Sequence, residues 1–91
     1  PEEIRDLALV MDKNITCGQV ENVISTSCKF VQDIKLFDVY EGGQIPADKK
    51  SMAFSVKFVP GEEAFEADAV DRFVKKILKN LKFHLDIDLR S

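Results

Sequence analysis

The strongest constraint on this chain is a period-two stretch between Lys50 and Val59, where Met52, Phe54, Val56 and Phe58 alternate with Ser51, Ala53, Ser55 and Lys57. Successive side chains of a strand point to opposite faces, so this run demands a β-strand with one side in a core and the other open. Three more segments read as strands. Ile4 to Met11 sets Leu7, Leu9 and Met11 against Ala8 and Val10, Ile34 to Tyr40 follows, and His84 to Arg90 alternates Leu85, Ile87 and Leu89 with Asp86 and Asp88.

Two helical patterns lie between the strands. Thr16 and Gln19 have the spacing of a capping box, in which two orphan backbone donors are satisfied reciprocally. Beyond them Val20, Val23, Ile24, Ser27, Cys28 and Val31 keep the i, i+3, i+4 spacing of one buried face. The second helix is marked by Val70, Phe73, Val74, Ile77, Leu78 and Leu81. Its acids (Glu66, Asp68, Asp71) come early and its lysines (75, 76, 79, 82) late, a polarity that suits the helix dipole. Asp68–Arg72 and Asp71–Lys75 are spaced as i, i+4 pairs, so its basic flank reads as a solvated face. Gly42, Gly43 and Pro46 make residues 41–48 a hairpin loop, and Pro60-Gly61 turns the chain again. The predicted architecture is α+β and ferredoxin-like: βαββαβ, a four-stranded antiparallel sheet with two helices on one face.

Ninety-one residues form one domain, 1–91. No apolar run is long enough for a transmembrane helix, and nothing at the start resembles a signal peptide. The first residue is Pro1, which suggests a fragment of a longer chain. A net charge of −3 excludes a grip on nucleic acid by bulk positive charge, so any RNA contact has to be local. Cys17 and Cys28, if on one helix, stand about 16 Å apart, beyond the roughly 7 Å a disulfide allows, and read as free thiols. With His84 the sole histidine and no CxxC pair, zinc and metal-chaperone chemistry lack ligands. Gly42-Gly43 is no phosphate loop, because Lys50-Ser51 opens a strand and not a helix. Asp12-Lys13-Asn14 lacks the arginine cradle of an acylphosphatase-like enzyme, and no nucleophile–base pair can be assembled.

Two helices cover only one side of the sheet. Strand parity turns Leu7, Leu9, Met11, Phe37, Val39, Leu85, Ile87 and Leu89, with the apolar set of the third strand, toward the helices. The open side receives Ala8, Val10, Asp38, Tyr40, Asp86 and Asp88, with Ser51, Ala53, Ser55 and Lys57. A lone tyrosine among small residues either offers a flat ring to a nucleobase or simply ends an edge strand. Asp38, on the same side, can accept a hydrogen bond from a base amine. Arg5 and Lys57 fall on or near the rim of this face, within reach of phosphates.

The segments Arg5-Asp6-Leu7-Ala8, Leu36-Phe37-Asp38-Val39-Tyr40-Glu41-Gly42 and Lys50-Ser51-Met52-Ala53-Phe54 resemble the ferredoxin-fold anticodon-binding domain that closes the beta subunit of bacterial phenylalanyl-tRNA synthetase. The likeness runs over essentially all 91 residues. It departs at Glu66-Ala67-Asp68, where the family often has a Thr-Asp-Glu cap. The resemblance implies that the open face meets the anticodon of phenylalanine tRNA through Ala8, Asp38, Tyr40 and Ser51, with Tyr40 stacking on the first anticodon base. It further implies a non-catalytic, cytoplasmic module of a class II ligase. The parent's ATP and magnesium would act in a catalytic core outside this domain, which itself needs no cofactor. Implied partners are the tRNA, other domains of the beta subunit and an alpha subunit in a heterotetramer, with no DNA and no membrane. Organellar single-chain enzymes of this type carry the same domain. The competing reading is a ligand-sensing or dimerising module of the same fold that pairs its sheet and binds no RNA.

Overall fold

The computed structural model describes residues 1–90. The elements run β1 (Glu3–Asp12), α1 (Cys17–Ser27), β2 (Val31–Tyr40), β3 (Lys49–Phe58), α2 (Ala69–Leu85) and β4 (Asp88–Leu89). The strands form one antiparallel sheet in the order β2-β3-β1-β4, so both helices are crossovers between strands that are not neighbours. This is the ferredoxin-like arrangement the alternation predicts.

The core lies between the sheet and the helices. Leu7, Leu9 and Met11 of β1 and Met52, Phe54, Val56 and Phe58 of β3 meet Val20 and Ile24 of α1 and Val70, Ile77 and Leu81 of α2. Burying a side chain of this size is worth about 1.5–3 kcal/mol, so the two central strands carry most of the fold's hydrophobic stabilisation. Phe30, Phe65 and Phe73 close one end with ring centroids 5.3–5.4 Å apart, pinning the irregular segment before α2.

Helix α1 begins as the capping box requires: the Gln19 N–H donates to Thr16 Oγ1 at 3.1 Å, and the Thr16 N–H donates to Gln19 Oε1 at 2.8 Å. It ends earlier than its apolar spacing suggests. Cys28 is already extended (φ −150°, ψ 120°), and Val31 opens β2 instead of closing the helix. Cys17 and Cys28 thus stand at opposite ends of α1, and both are free thiols.

The last strand differs most from expectation. Helix α2 runs on through His84 and Leu85 and stops at Asp86, which adopts the left-handed conformation (φ 53°, ψ 41°). An aspartate tolerates this region better than most side chains. Here the Asp86 N–H donates to the Lys82 carbonyl at 3.0 Å, and the Lys82 ammonium holds the Asp86 carboxylate at 2.7 Å. The alternation Leu85-Ile87-Leu89 therefore joins a helix end to a two-residue strand. Ile87 enters the core, Leu85 packs against it from the helix, and Leu89 stays half exposed on the sheet edge.

Strand β2 also departs from simple parity. Its register against β3 shifts between Val31 and Asp33 and again between Leu36 and Asp38. Each irregularity puts two residues opposite one and re-aims the side chains that follow. Only Val31 and Ile34 of β2 reach the core, because α1 lies over that first part alone, so Phe37 and Val39 remain 57% and 51% exposed.

Candidate nucleic-acid interface

The face turned away from the helices is organised in rows across the strands. Tyr40 pairs with Ser51, Ser51 with Val10, and Val10 with Asp88, so these four residues cross the sheet in a line. The next line runs from Asp38 to Ala53 to Ala8. It continues to Arg90, whose backbone N–H donates to the Ala8 carbonyl at 2.7 Å. Ala8, Asp38, Tyr40 and Ser51 thus share one surface, as parity predicts, and the second shift in β2 is absorbed before Asp38.

This surface is not a bare floor. Arg90 lies over it, its guanidinium carbon 5.0 Å from the centre of the Tyr40 ring. About 14 Å of sheet separates β4 from β2, so the side chain has to stretch across the small residues between them. That crossing is possible only because Ala8, Ala53 and Ser51 leave room. A cation over a tyrosine ring gains about 0.5–1 kcal/mol where the pair is solvent-exposed. The β2–β3 loop folds onto the same face. Ile45 is buried, and with Ala8, Val10, Gln44, Pro46 and Arg90 it lines a concavity of about 520 Å³. Ser51 and Ala53, expected on an open surface, are 3% and 9% exposed. Tyr40 retains 41% exposure and Asp38 is exposed beside it, so these two are the accessible part of the site.

The loop is set by local chemistry. Gly42 and Gly43 both have positive φ, 88° and 56°, and the Ile45 N–H closes a turn onto the Gly42 carbonyl at 2.9 Å. A side chain on Gly43 would begin 2.5 Å from the Tyr40 hydroxyl, so glycine here lets the loop backbone lie against the ring edge. The loop's far end is tied down by Lys49, whose ammonium sits 2.6 Å from the Asp12 carboxylate and is held above the usual lysine range by that bond.

The two predicted phosphate contacts are placed differently. Arg5 pairs in register with Val56 and shares its parity with Leu7, so it emerges on the helix side, not on the open face. There it meets Glu3 at 3.1 Å and Asp71 of α2 at 3.9 Å. Asp71 therefore faces Arg5, and the expected Asp71–Lys75 pair does not form. Arg72 does pair with Asp68, whose carboxyl that contact holds below the usual range. Lys57 is on the open face, about 20 Å along β3 from Ser51, and its ammonium lies 3.6 Å from Glu2. Arg90, which reasoning from the sequence missed, is the cation that lies over the Tyr40 ring. Its position past a two-residue strand was signalled only by the even numbering it shares with Asp86 and Asp88.

Residues 1–90 match the model of the ferredoxin-fold anticodon-binding domain. The chain belongs to that family. Among curated proteins it is similar to the phenylalanine–tRNA ligase beta subunit of Lactococcus lactis, with 42% identity over 94% of this chain and 11% of that protein. The corresponding subunit of Bacillus subtilis is 41% identical over 90% of the chain and 10% of its own length. That of Bacteroides thetaiotaomicron is 37% identical over 99% and 11%. The chain thus spans about a tenth of the length of these relatives. No helix among the described residues is long and apolar enough to cross a membrane.

Proposed function

We propose that this anticodon-binding domain reads the anticodon of phenylalanine tRNA on the surface around Tyr40, as a non-catalytic part of a phenylalanine–tRNA ligase. The observation that carries the reading is the convergence of Tyr40, Asp38, Ser51 and Ala8 on one face, with the Tyr40 ring its accessible aromatic. Single-stranded bases are recognised by stacking on aromatic rings and by hydrogen bonds to their edges. Tyr40 supplies the ring and Asp38 an acceptor. Arg90 already covers the ring, so an arriving base shares the stack with its guanidinium or displaces it.

On this reading the ligase is of class II. Amino-acid activation with ATP and magnesium falls to parts of the parent outside this domain, which holds no cofactor. Those parts include further beta-subunit domains and an alpha subunit in a cytoplasmic heterotetramer. A second reading, a module that pairs its sheet with another copy, draws on the exposed Leu36, Phe37 and Val39 of edge strand β2. Proton–nitrogen NMR titration with the phenylalanine anticodon stem-loop and a scrambled-loop control separates the two. Anticodon reading predicts shifts at Ala8, Asp38, Tyr40 and Ser51 with the matched loop only, and loss of about 1–3 kcal/mol of binding in Tyr40→Ala. Binding unaltered by Tyr40→Ala overturns it, and concentration-dependent shifts without RNA favour pairing of sheets.

A further inference from the structure

The open face carries cations at Lys35, Lys49, Lys57 and Arg90, and three of them are engaged. Lys49 is held by Asp12, Lys57 by Glu2, and Arg90 lies over Tyr40. Lys35 is exposed and makes no ion pair or hydrogen bond among the described residues. Its register partner is Ser55, which pairs in turn with Asp6, so Lys35 heads the row next to Asp38–Ala53–Ala8. It stands at the outer edge of the sheet, on the same strand as Tyr40. Ser55 and Ser51 are about 13 Å apart along β3, which sets Lys35 two rows from the stacking ring. Asp33 lies on one side of it along β2 and Asp38 on the other, both on shorter side chains.

We propose that Lys35 binds a backbone phosphate of the RNA, one or two nucleotides from the base stacked on Tyr40. The inference rests on the anticodon reading above. A chain of net charge −3 needs at least one local cation to hold a polyanion beside Asp38, and Lys35 is the lysine of this face without a carboxylate partner among the described residues. A base stacked on Tyr40 with its edge toward Asp38 directs its strand along β2, and the row spacing of about 7 Å lets successive nucleotides follow successive rows. A phosphate contact positions the RNA without specifying sequence.

The test is binding of the phenylalanine anticodon stem-loop to the 91-residue chain across a salt series, with Lys35→Gln, Lys35→Arg, Tyr40→Ala and Lys75→Gln beside wild type. Lys75 is an exposed lysine on the helix side and controls for net charge. Lys35→Gln should weaken binding about two- to fivefold at low salt, the range for one exposed charge contact. It should also flatten the slope of log affinity against log salt by about 0.7, one single-strand phosphate contact. The preference for the matched loop over a scrambled one should persist. Lys35→Arg should keep the wild-type slope, and Lys75→Gln should leave it unchanged. An unaltered slope in Lys35→Gln, or an equal change in Lys75→Gln, overturns the phosphate contact while the anticodon reading stands. Wild-type binding that ignores both loop sequence and Tyr40→Ala overturns the anticodon reading itself.

Discussion

Gly42 and Gly43 sit side by side with positive φ, yet they do different work. A Cβ on Gly42 would meet nothing within 4 Å, whereas one on Gly43 would meet the Tyr40 hydroxyl at 2.5 Å. Alanine at either position enters the left-handed region, at a cost of about 1–2 kcal/mol. Only Gly43→Ala also pushes on the ring, and because the clash is with the far end of a side chain, the ring swings aside before the backbone yields. Tyr40 is the only tyrosine and the chain has no tryptophan, so intrinsic fluorescence reports this ring alone. Gly43→Ala should change that emission and weaken stem-loop binding, while Gly42→Ala should lower stability with wild-type emission. Matching fluorescence in the two variants would remove Gly43 from the site. At this scale the sequence is informative about Tyr40 and Asp38 and silent about their cover. Parity assigns a residue to a side of the sheet. It does not say that Arg90 will stretch across or that Ile45 will fold down.

The helices show what local chemistry can and cannot announce. Thr16 and Gln19 declare the start of α1 because capping is a contact between neighbours in the chain, and both reciprocal bonds form. Thr16→Ala should therefore cost about 1 kcal/mol. Helix α2 starts after Asp68, which makes no side-chain cap bond and turns its carboxylate to Arg72 instead. Asp68→Ala should move the urea midpoint less than Thr16→Ala; an equal or larger shift would show that Asp68 caps the helix in solution. Central strands β1 and β3 were legible because both are flanked by strands and covered by helices on one side, so their apolar alternation marks the core side, even though Ser51 and Ala53 on the other side of β3 are buried too. At the edges alternation and burial separate. The shifts in β2 and the two-residue β4 come from pairing with distant partners and from the left-handed turn at Asp86. An alternation of Leu, Ile and Leu passes through that turn without any local sign of it.

Across the whole molecule, acids outnumber bases, 16 to 13, and the ion pairs are mostly solvent-exposed. Individually such pairs add little. Two of them nevertheless give stability a defined pH dependence. The side-chain bond from Arg72 holds the Asp68 carboxyl below its ordinary value, and the bond from Lys82 does the same for Asp86. In the unfolded chain both return to the ordinary aspartate value of about 3.9. As pH falls past that value the unfolded state takes up protons first, so the equilibrium moves toward it. The contribution of both groups is complete above about pH 4 and is lost as pH falls through their depressed folded values. The thermal midpoint should hold steady through the neutral range with respect to these groups and decline below about pH 4. In the Asp68→Asn, Asp86→Asn double variant that decline should be shallower, since asparagine keeps the shape and, at position 86, the tolerance of left-handed backbone. Added salt should flatten the wild-type decline in the same direction, because exposed pairs are screened. Acid limbs of equal steepness in the variant and wild type would mean that other carboxylates govern the acid response.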